Sequence, residues 1–571
     1  MRQPSVLIPI IFLALAALPA LAEERPAGAF SENIEVRVVN LEVVVTDRGG
    51  RRVPGLGPGD FQLRVDGREL PIEYFTEIAD GHRAEAAADA GAAGARSAPA
   101  IGAVAPGQAV GTGYLVFIDD YFTELAARRN QVLDEIAGQL GRLGPADRVA
   151  VVAFNGRKVE MLSPWKRPSA ELSEVFELAK SRPAHGRRLG AEVGFSDQIQ
   201  RVDIAETSSS DPVSSGDQTI SAADREEQAR ATIDFLERQL ERVALGVTAT
   251  LRGFAAPPGR KVMLLLSGGW PHSVYEYVLG ATPLTERSGA SVQRGPEIFR
   301  QIYDTANLLG YTLYPIDLPG RSGSLADASE ADDVAMPRTG PGLSGASGDP
   351  TIPFSFVRED EIHTTLHRLA VETGGVSMID AARLRSLAAV IDDTRSYYWL
   401  GFTPDWQGDD RTHKVRLEVL RPGLEVRHRA GFKDLSRSAE LDFMVESALL
   451  FGSLPGTRPL GLEAGPLPAG KRRVELPLTL RIPMDEITML PVGTEYVAEL
   501  ELRVGAIDED GRRNEISVVP VSLRGPDPPP AGSYATYEFA VRIRHQPQDL
   551  VVTLHDPVSD RILAAVTRVE G

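Results

Sequence analysis

Five consecutive apolar residues, Tyr114-Leu115-Val116-Phe117-Ile118, run directly into two carboxylates, Asp119-Asp120. A run this short and unbroken reads as a strand buried on both faces, and such strands occupy the middle of parallel sheets. In an open α/β sheet, ligands gather outside the carboxyl ends of the strands. Asp119 therefore stands where such a fold puts its chemistry. Aspartate is also a good helix N-cap and often follows a strand for that reason alone. The residues leave both roles open.

The pattern around this strand predicts more of the same fold. Apolar runs recur at 149–154, 262–266, 311–317 and 376–379. Between them lie stretches with helical spacing, at 124–143, 168–181, 223–252, 295–309, 359–373 and 381–393. Strand and helix alternate through 112–393, which predicts right-handed crossovers and a doubly wound, mostly parallel α/β sheet covered on both faces. Two Gly/Ser-rich stretches, 185–221 and 319–355, read as mobile insertions.

The flanks are different. Residues 31–78 alternate apolar and polar with period two, with a phase change near Asn40 that suggests a bulge. Residues 394–434 return to the same pattern. Each piece is too small for its own core, so the two are expected to form one Ig-like β-sandwich with the α/β domain inserted between them. Residues 79–111, rich in Ala, Gly and Pro, read as a flexible linker. Residues 437–571 read as a helical linker followed by a C-terminal β-sandwich of six to eight strands. At 571 residues the chain needs several cores.

Residues 1–22 have a basic start at Arg2, an apolar core and an Ala20-Leu21-Ala22 exit, the pattern of a cleaved signal peptide. The expected location is outside the cytoplasm, periplasmic or extracellular. No later run is long and apolar enough to predict a membrane span. A net charge of −18 argues against nucleic acid, whose phosphates are bound by Lys and Arg. Cysteine is absent, which excludes disulfides, a thiolate nucleophile and Cys-ligated metals.

The central segment resembles a von Willebrand factor type A domain. The strand ending in Asp119, the strand at 149–154, and the strand at 262–266 leading into Ser267-Gly268-Gly269 carry the likeness. Residues 31–434 as a whole resemble the vWFA-related domain family described from acidobacteria. Val43-Val44-Val45-Thr46-Asp47, Asp60-Phe61, Pro258-Gly259-Arg260-Lys261, Tyr314-Pro315-Ile316-Asp317, Leu369 to Gly375, Tyr397 to Phe402 and Arg421 to Leu424 extend it. The resemblance implies a divalent-ion adhesion site of the form Asp-x-Ser-x-Ser, completed by a Thr and an Asp from other loops, with Mg²⁺ or Ca²⁺ as the ion. Here Asp119 and Thr123 match, Tyr121 stands in place of a serine, and Gly268 stands where the distant Asp would be. The site is thus degenerate, with Asp120 and Ser267 as substitute ligands, and the second-loop Thr would fall in the 185–221 insertion.

Other chemistry has weaker support. His363 and His367 have the spacing of a zinc-protease helix but lack the glutamate beside the first His. No Gly-x-Ser-x-Gly elbow and no phosphate-binding loop occurs. The Asp508–Asp510 cluster reads as a hairpin turn. The chain is therefore expected to be non-enzymatic, with neither a catalytic site nor an organic cofactor. It would bind an unnamed protein, or mediate adhesion, through Asp119, Asp120, Tyr121, Thr123, Ser267 and Trp270, with Phe122 beside them. The alternative is a structural component of an envelope or secretion assembly; an exported hydrolase is the more distant reading.

Overall fold

The run that opens the α/β pattern becomes strand β6 because no face of it faces water. Tyr114, Leu115, Val116, Phe117 and Ile118 are all at most 2% exposed. Burying a large apolar side chain contributes about 1.5–3 kcal/mol, so these five residues anchor the sheet. The computed structural model describes residues 38–84, 107–186, 222–254, 259–279, 294–318, 351–379, 385–451, 458–466, 473–508 and 513–570. The expected signal peptide, most of the 79–111 linker and most of the two insertions lie outside these residues.

The architecture is mixed α/β with several β-sheets, in two units, 38–435 and 436–570. In the larger unit the strands are β1 (Val39–Asp47), β2 (Phe61–Val65), β3 (Arg68–Leu70), β4 (Tyr74–Ala79), β5 (His82–Arg83), β6 (Thr112–Asp119), β7 (Arg148–Phe154), β8 (Val159–Lys166), β9 (Arg260–Ser267), β10 (Tyr311–Asp317), β11 (Tyr397–Phe402), β12 (Arg411–Val419), β13 (Leu424–Arg427) and β14 (Gly431–Asp434). Its helices are α1 (Ala126–Gln139), α2 (Ala170–Lys180), α3 (Ala222–Gly253), α4 (Val274–Leu279), α5 (Arg294–Leu309), α6 (Thr351–Glu372) and α7 (Ser386–Thr394).

The central sheet runs β10-β9-β6-β7-β8. Four strands are parallel, and β8 closes one edge antiparallel. Pro164 lies in β8, an edge position where its missing N–H is tolerated. In chain order within this sheet the sequence is 5-4-1-2-3, so the direction of winding reverses between β6 and β9. Tyr114, Val116 and Ile118 share one core with Val132, Leu133 and Ile136 of α1, Phe176 of α2 and Val390 of α7. On the other side Phe117 stacks on Phe154, and the Phe154 ring lies against Gly246 of α3. Helices thus cover both faces.

The flanking β segments pair with each other. β1 pairs antiparallel with β11 and then with β13, and β2 pairs with β12. Leu41, Val43, Phe61, Leu63, Leu400, Leu417 and Phe432 fill one core between the sheets β13-β1-β11-β4-β5 and β14-β12-β2-β3.

Four local expectations need correction. No bulge occurs at Asn40, since β1 pairs continuously with β11 from Val39 to Val43. Further along, β1 changes partner, Val44 pairing with Arg427 of β13, and Val43, Val44 and Val45 are all buried. Residues 376–379 make no strand; a single bridge joins Met378 to Ile316. The chain approaches β10 there only because position 375 is glycine, where a Cβ would lie 1.8 Å from the Leu313 carbonyl oxygen. The insertion expected to reach 355 is already helical from Thr351.

The fourth correction concerns the smaller unit. Its strands are β15 (Arg458–Pro459), β16 (Gly461–Ala464), β17 (Arg473–Pro483), β18 (Leu490–Val492), β19 (Glu495–Asp508), β20 (Val518–Gly525), β21 (Tyr534–Arg544), β22 (Gln548–Asp556) and β23 (Arg561–Val569). They form a six-stranded and a three-stranded sheet around the core of Leu480, Ile482, Leu500, Leu502, Val552 and Leu554. Helix α8 (Arg437–Phe451) is not a free linker. It packs Val445, Ala448 and Leu449 against Ile507 and Val551.

Candidate functional site

β6 ends at Asp119 and β9 ends at Ser267, and these two strands flank the point where the strand order reverses. The crevice outside such a point is the usual ligand position in open α/β sheets. The structure brings Asp119, Asp120, Thr123, Ser267 and Trp270 into this region and buries them. Asp119, Asp120, Ser267 and Trp270 are 0% exposed and Thr123 is 1% exposed. Of the six residues expected to meet a partner, only Tyr121 keeps partial access to solvent. The expectation of an exposed acidic contact surface is therefore corrected: these side chains have no water to lose on association.

Their carboxylates are satisfied from within. Asp119 Oδ1 accepts the backbone N–H groups of Tyr121 at 3.0 Å and Phe122 at 3.1 Å, which folds the chain sharply as it leaves β6. The Trp270 indole N–H donates to Asp119 Oδ2 at 2.6 Å, and the Trp270 ring stacks on Phe299. Thr123 turns its hydroxyl inward and donates to the Asp119 carbonyl oxygen. Ser267 Oγ accepts the N–H of Gly269 at 3.2 Å. Burial pushes the Asp119 carboxyl up to about 7, the Trp270 and backbone N–H donors pull against it, and the Asp120 charge adds to the rise.

Asp120 is held by two guanidinium groups. Arg129 Nη1 donates to its Oδ1 at 2.5 Å and Arg182 Nε donates to its Oδ2 at 2.6 Å. Burial raises the Asp120 carboxyl, and the two arginines pull it back. Arg129 is itself 0% exposed and donates from Nη2 to the carbonyl oxygens of Lys180 at 3.1 Å and Arg182 at 2.8 Å. Arg182 also reaches Glu160 Oε2 at 2.5 Å. One network thus ties the end of β6 to α1, to β8 and to the segment after α2.

Neither arginine entered the sequence reading, although one signal was available. Arg129 lies four residues after Leu125, three before Val132 and seven before Ile136, on the apolar stripe of α1. A cation on a buried helical face requires a buried anion. Arg182 offers no comparable signal, because it meets Asp120 only through the fold.

The geometry also tests the implied ion. Position 268, where the type A pattern has an aspartate, has no room for a side chain. A Cβ there would lie 2.1 Å from the Phe122 carbonyl oxygen and 2.4 Å from the Thr123 nitrogen. The Tyr121 ring lies over Gly156 and edge-on to Phe122 at 5.4 Å. Both Asp119 oxygens have N–H donors, and two guanidinium groups stand where a second cation would be repelled. Asp119, Asp120, Thr123 and Ser267 as arranged do not fit Mg²⁺ or Ca²⁺, which need several oxygens turned toward one point.

Elsewhere, Asp409, His413 and Asp434 offer ligand atoms that all lie within 4.8 Å of one another. Their oxygens and nitrogens are already engaged: His413 Nδ1 lies 2.7 Å from Asp66 Oδ2, and Asp434 Oδ2 accepts the N–H groups of Gln407 and Gly408. A metal could bind there by displacing a proton from His413. The only hint in the sequence was Asp409 and His413 four apart, with Asp434 brought in by the pairing of β12 with β14. Asp508 is buried and paired with Arg544 at 3.0 Å. His363 and His367 lie on α6 and line a shared cleft.

No helix among the described residues is long and apolar enough to cross a membrane. No family model matches the sequence, and no curated protein matches it. Solved structures that align with it include the pilus adhesin SpaC from Lactobacillus rhamnosus GG, at 9% identity over 81% of this chain and 57% of the adhesin, with a TM-score of 0.26. The N-terminal domain of TFIIH p34 aligns at 13% identity over 49% of this chain and 95% of that domain, with a TM-score of 0.17. A Bacteroides uniformis β-glucuronidase aligns at 11% identity over 30% of this chain and 19% of the enzyme, with a TM-score of 0.14. Scores this low establish no shared fold.

Proposed function

We propose that this chain is an exported, non-enzymatic protein whose central domain is of the von Willebrand factor type A kind, with its ion site closed by its own arginines. In this reading it serves as a structural component of an envelope or secretion assembly. Support for the type A likeness comes from the strand order with its reversal between β6 and β9, the antiparallel β8 at one edge, and Asp119 at the end of the first strand.

The observation that carries the scaffold role is the closure of the sheet edge. Adhesion through a type A site requires a cation with an open position, offered to a partner's carboxylate. Here the same positions are fully buried, and Arg129 and Arg182 supply the positive charge. The edge then acts as a clamp that fixes β6, α1 and α2 together. Export rests on the pattern of residues 1–22.

The test is capture of partners from envelope extracts by the full chain, with Mg²⁺ and Ca²⁺ present or chelated, beside an Asp119→Asn variant. A scaffold captures the same proteins in all conditions. Capture that requires divalent ions, and is lost in an Asp119→Asn variant whose circular dichroism and unfolding midpoint are native, refutes the reading and restores adhesion through the sheet edge.

A further inference from the structure

We propose that Asp409, His413 and Asp434 form a binding site for a divalent transition-metal ion of the zinc class, with Asp66 holding the histidine from behind. The site lies in the flanking sandwich and is independent of the scaffold reading. His413 is on β12, Asp434 is the last residue of β14, and Asp409 lies in the turn just before β12. The two strands pair antiparallel, with His413 opposite Phe432 and Arg411 opposite Asp434. Alternation along the strands then puts His413 and Asp434 on one face of the ladder. Thr412 and Lys433, opposite each other, turn to the other face, where both meet Asp304. The ligand atoms of Asp409, His413 and Asp434 all lie within 4.8 Å of one another.

The state of the histidine points to a cation. His413 Nδ1 lies 2.7 Å from Asp66 Oδ2, the length of a charge-assisted hydrogen bond, and a carboxylate only accepts, so Nδ1 carries a proton. Nε2 faces a second acceptor, Asp409 Oδ1, at 3.3 Å. Two acceptors face each other only with another proton or a cation between them. A proton would draw this pair to about 2.7–2.9 Å, as on the Asp66 side. Two ligand atoms on one tetrahedral ion, each about 2.0–2.1 Å from it, stand about 3.3 Å apart. A metal-bound histidine ordinarily donates its other ring N–H to a carboxylate. Asp66 is that carboxylate, and it is itself fixed by the N–H of Lys414 at 2.9 Å.

The two ligand carboxylates are oriented without being used up. Asp434 is 2% exposed and accepts the N–H groups of Gln407 at 2.6 Å and Gly408 at 2.9 Å. Both bonds fall on Oδ2, so neither occupies Oδ1. Asp409 Oδ1 accepts one N–H, from Arg411 at 3.0 Å, and a carboxylate offers about four lone-pair positions. The Arg411 guanidinium stays 4.0 Å from Asp409 Oδ2 and is largely exposed, so it does not fill the position. One imidazole with two carboxylates suits Zn²⁺ and its neighbours, whereas Mg²⁺ and Ca²⁺ want oxygens alone. Water takes the fourth position, since Asp409 and His413 are only half-buried. The ion joins the turn before β12 to the end of β14.

The test uses the full chain stripped of metal, titrated with Zn²⁺ by calorimetry and with Co²⁺ by visible absorption. Expected are one equivalent bound with micromolar affinity, tetrahedral Co²⁺ bands, and a rise in melting temperature with Zn²⁺. Asp66→Asn keeps all three ligands and weakens binding by about 10–100-fold. His413→Gln and Asp409→Asn each remove a ligand and weaken it by about 100-fold or more, beyond the loss an outer partner causes. Asp409→Asn leaves the N–H bonds to Asp434 in place, so its native circular dichroism keeps the test valid should His413→Gln fold poorly. A doubly protonated His413 bridging two aspartates predicts no Zn²⁺ binding and no shift in melting temperature. The proposal is overturned if the native chain binds no Zn²⁺ at submillimolar concentration, or if the His413 and Asp409 variants keep native affinity. It is equally overturned if His363→Gln alone abolishes binding, which would put the ion on α6.

Discussion

Replacing Arg129 with methionine tests the closed-edge reading most directly. Methionine keeps the length and packing of the stem and removes the charge. Asp120 would then rely on Arg182 alone, and the carbonyl oxygens of Lys180 and Arg182 would each lose a donor from the Arg129 guanidinium. Breaking a buried ion pair by removing one partner costs about 3–5 kcal/mol, because the remaining charge stays buried. Arg182 retains part of the compensation, so about 4 kcal/mol is expected for Arg129→Met. Asp120→Asn alone should cost a similar amount for the same reason. The double variant should cost clearly less than the sum, with a coupling of about 2 kcal/mol or more, since both charges leave together. Urea unfolding followed by tryptophan fluorescence is the assay. All four tryptophans, Trp165, Trp270, Trp399 and Trp406, lie in the 38–435 unit, so the signal reports on that unit alone. A cost below about 1 kcal/mol for Arg129→Met, or strict additivity in the double variant, would refute the reasoning. So would restoration of Arg129→Met by millimolar Mg²⁺, which would mean that the edge accepts a metal in place of the guanidinium.

Asp119 gives a pH test with an unusual sign. Its carboxyl is raised from an ordinary value of 3.8 to about 7 in the folded chain, so the folded state binds the proton more tightly than the unfolded state. Its contribution to stability is therefore greatest below pH 3.8, falls as pH rises from there to about 7, and levels off above, by up to about 4 kcal/mol in all. Asp119→Asn should remove that slope from the urea-derived stability, and an unchanged slope would show that the group does not titrate in this range. Glycines 268 and 505 separate hard from soft crowding. Gly268→Ala drives a Cβ to within 2.1 Å of the Phe122 carbonyl oxygen and should unfold the unit or lower its stability by more than about 3 kcal/mol. In Gly505→Ala the nearest atoms to the new Cβ belong to the Val445 and Leu449 side chains of α8, the closest at 2.6 Å, and the change should cost about 1–3 kcal/mol by calorimetry; equal costs would mean the 121–123 turn is softer than its contacts imply.

Much of the fold could be read from local pattern. Strands buried on both faces, such as β6, β7 and β9, leave continuous apolar runs that no helix of that length would need. The errors came where tertiary contact decides. Residues 376–379 have the right composition for a strand, but among the described residues a single bridge, Met378 to Ile316, joins them to β10, after the close approach at Gly375. Residues 437–452 read as a helical linker, yet Val445 and Leu449 of this helix pack against Gly505 and Val551. The phase change near Asn40 was visible, yet β1 pairs with β11 without interruption from Val39 to Val43, so the pattern alone did not mark a bulge.

The Asp119 region was legible as a place and illegible as a state, and the reason is electrostatic. Two adjacent carboxylates withdrawn from water at the end of a strand require positive charge or a proton nearby. A metal ion and a guanidinium meet that demand equally well, and the carboxylates look the same in either case. What distinguishes them is the space around the anions. A metal needs several oxygens converging on a point, which in the type A pattern means serines at short reach and an aspartate from the neighbouring loop. A guanidinium needs one long side chain and carbonyl groups behind it. Tyr121 and Gly268 were visible as two missing ligands; in the structure the Tyr121 ring lies against Gly156 and Phe122, and the backbone at 268 lies too close to Phe122 for any side chain. Arg129 on the apolar face of α1 was the complementary signal, a charge that had to be answered from inside. Taken together, absent ligands and an unexplained buried cation point to one conclusion that neither supports alone: the sheet edge is closed by the protein itself.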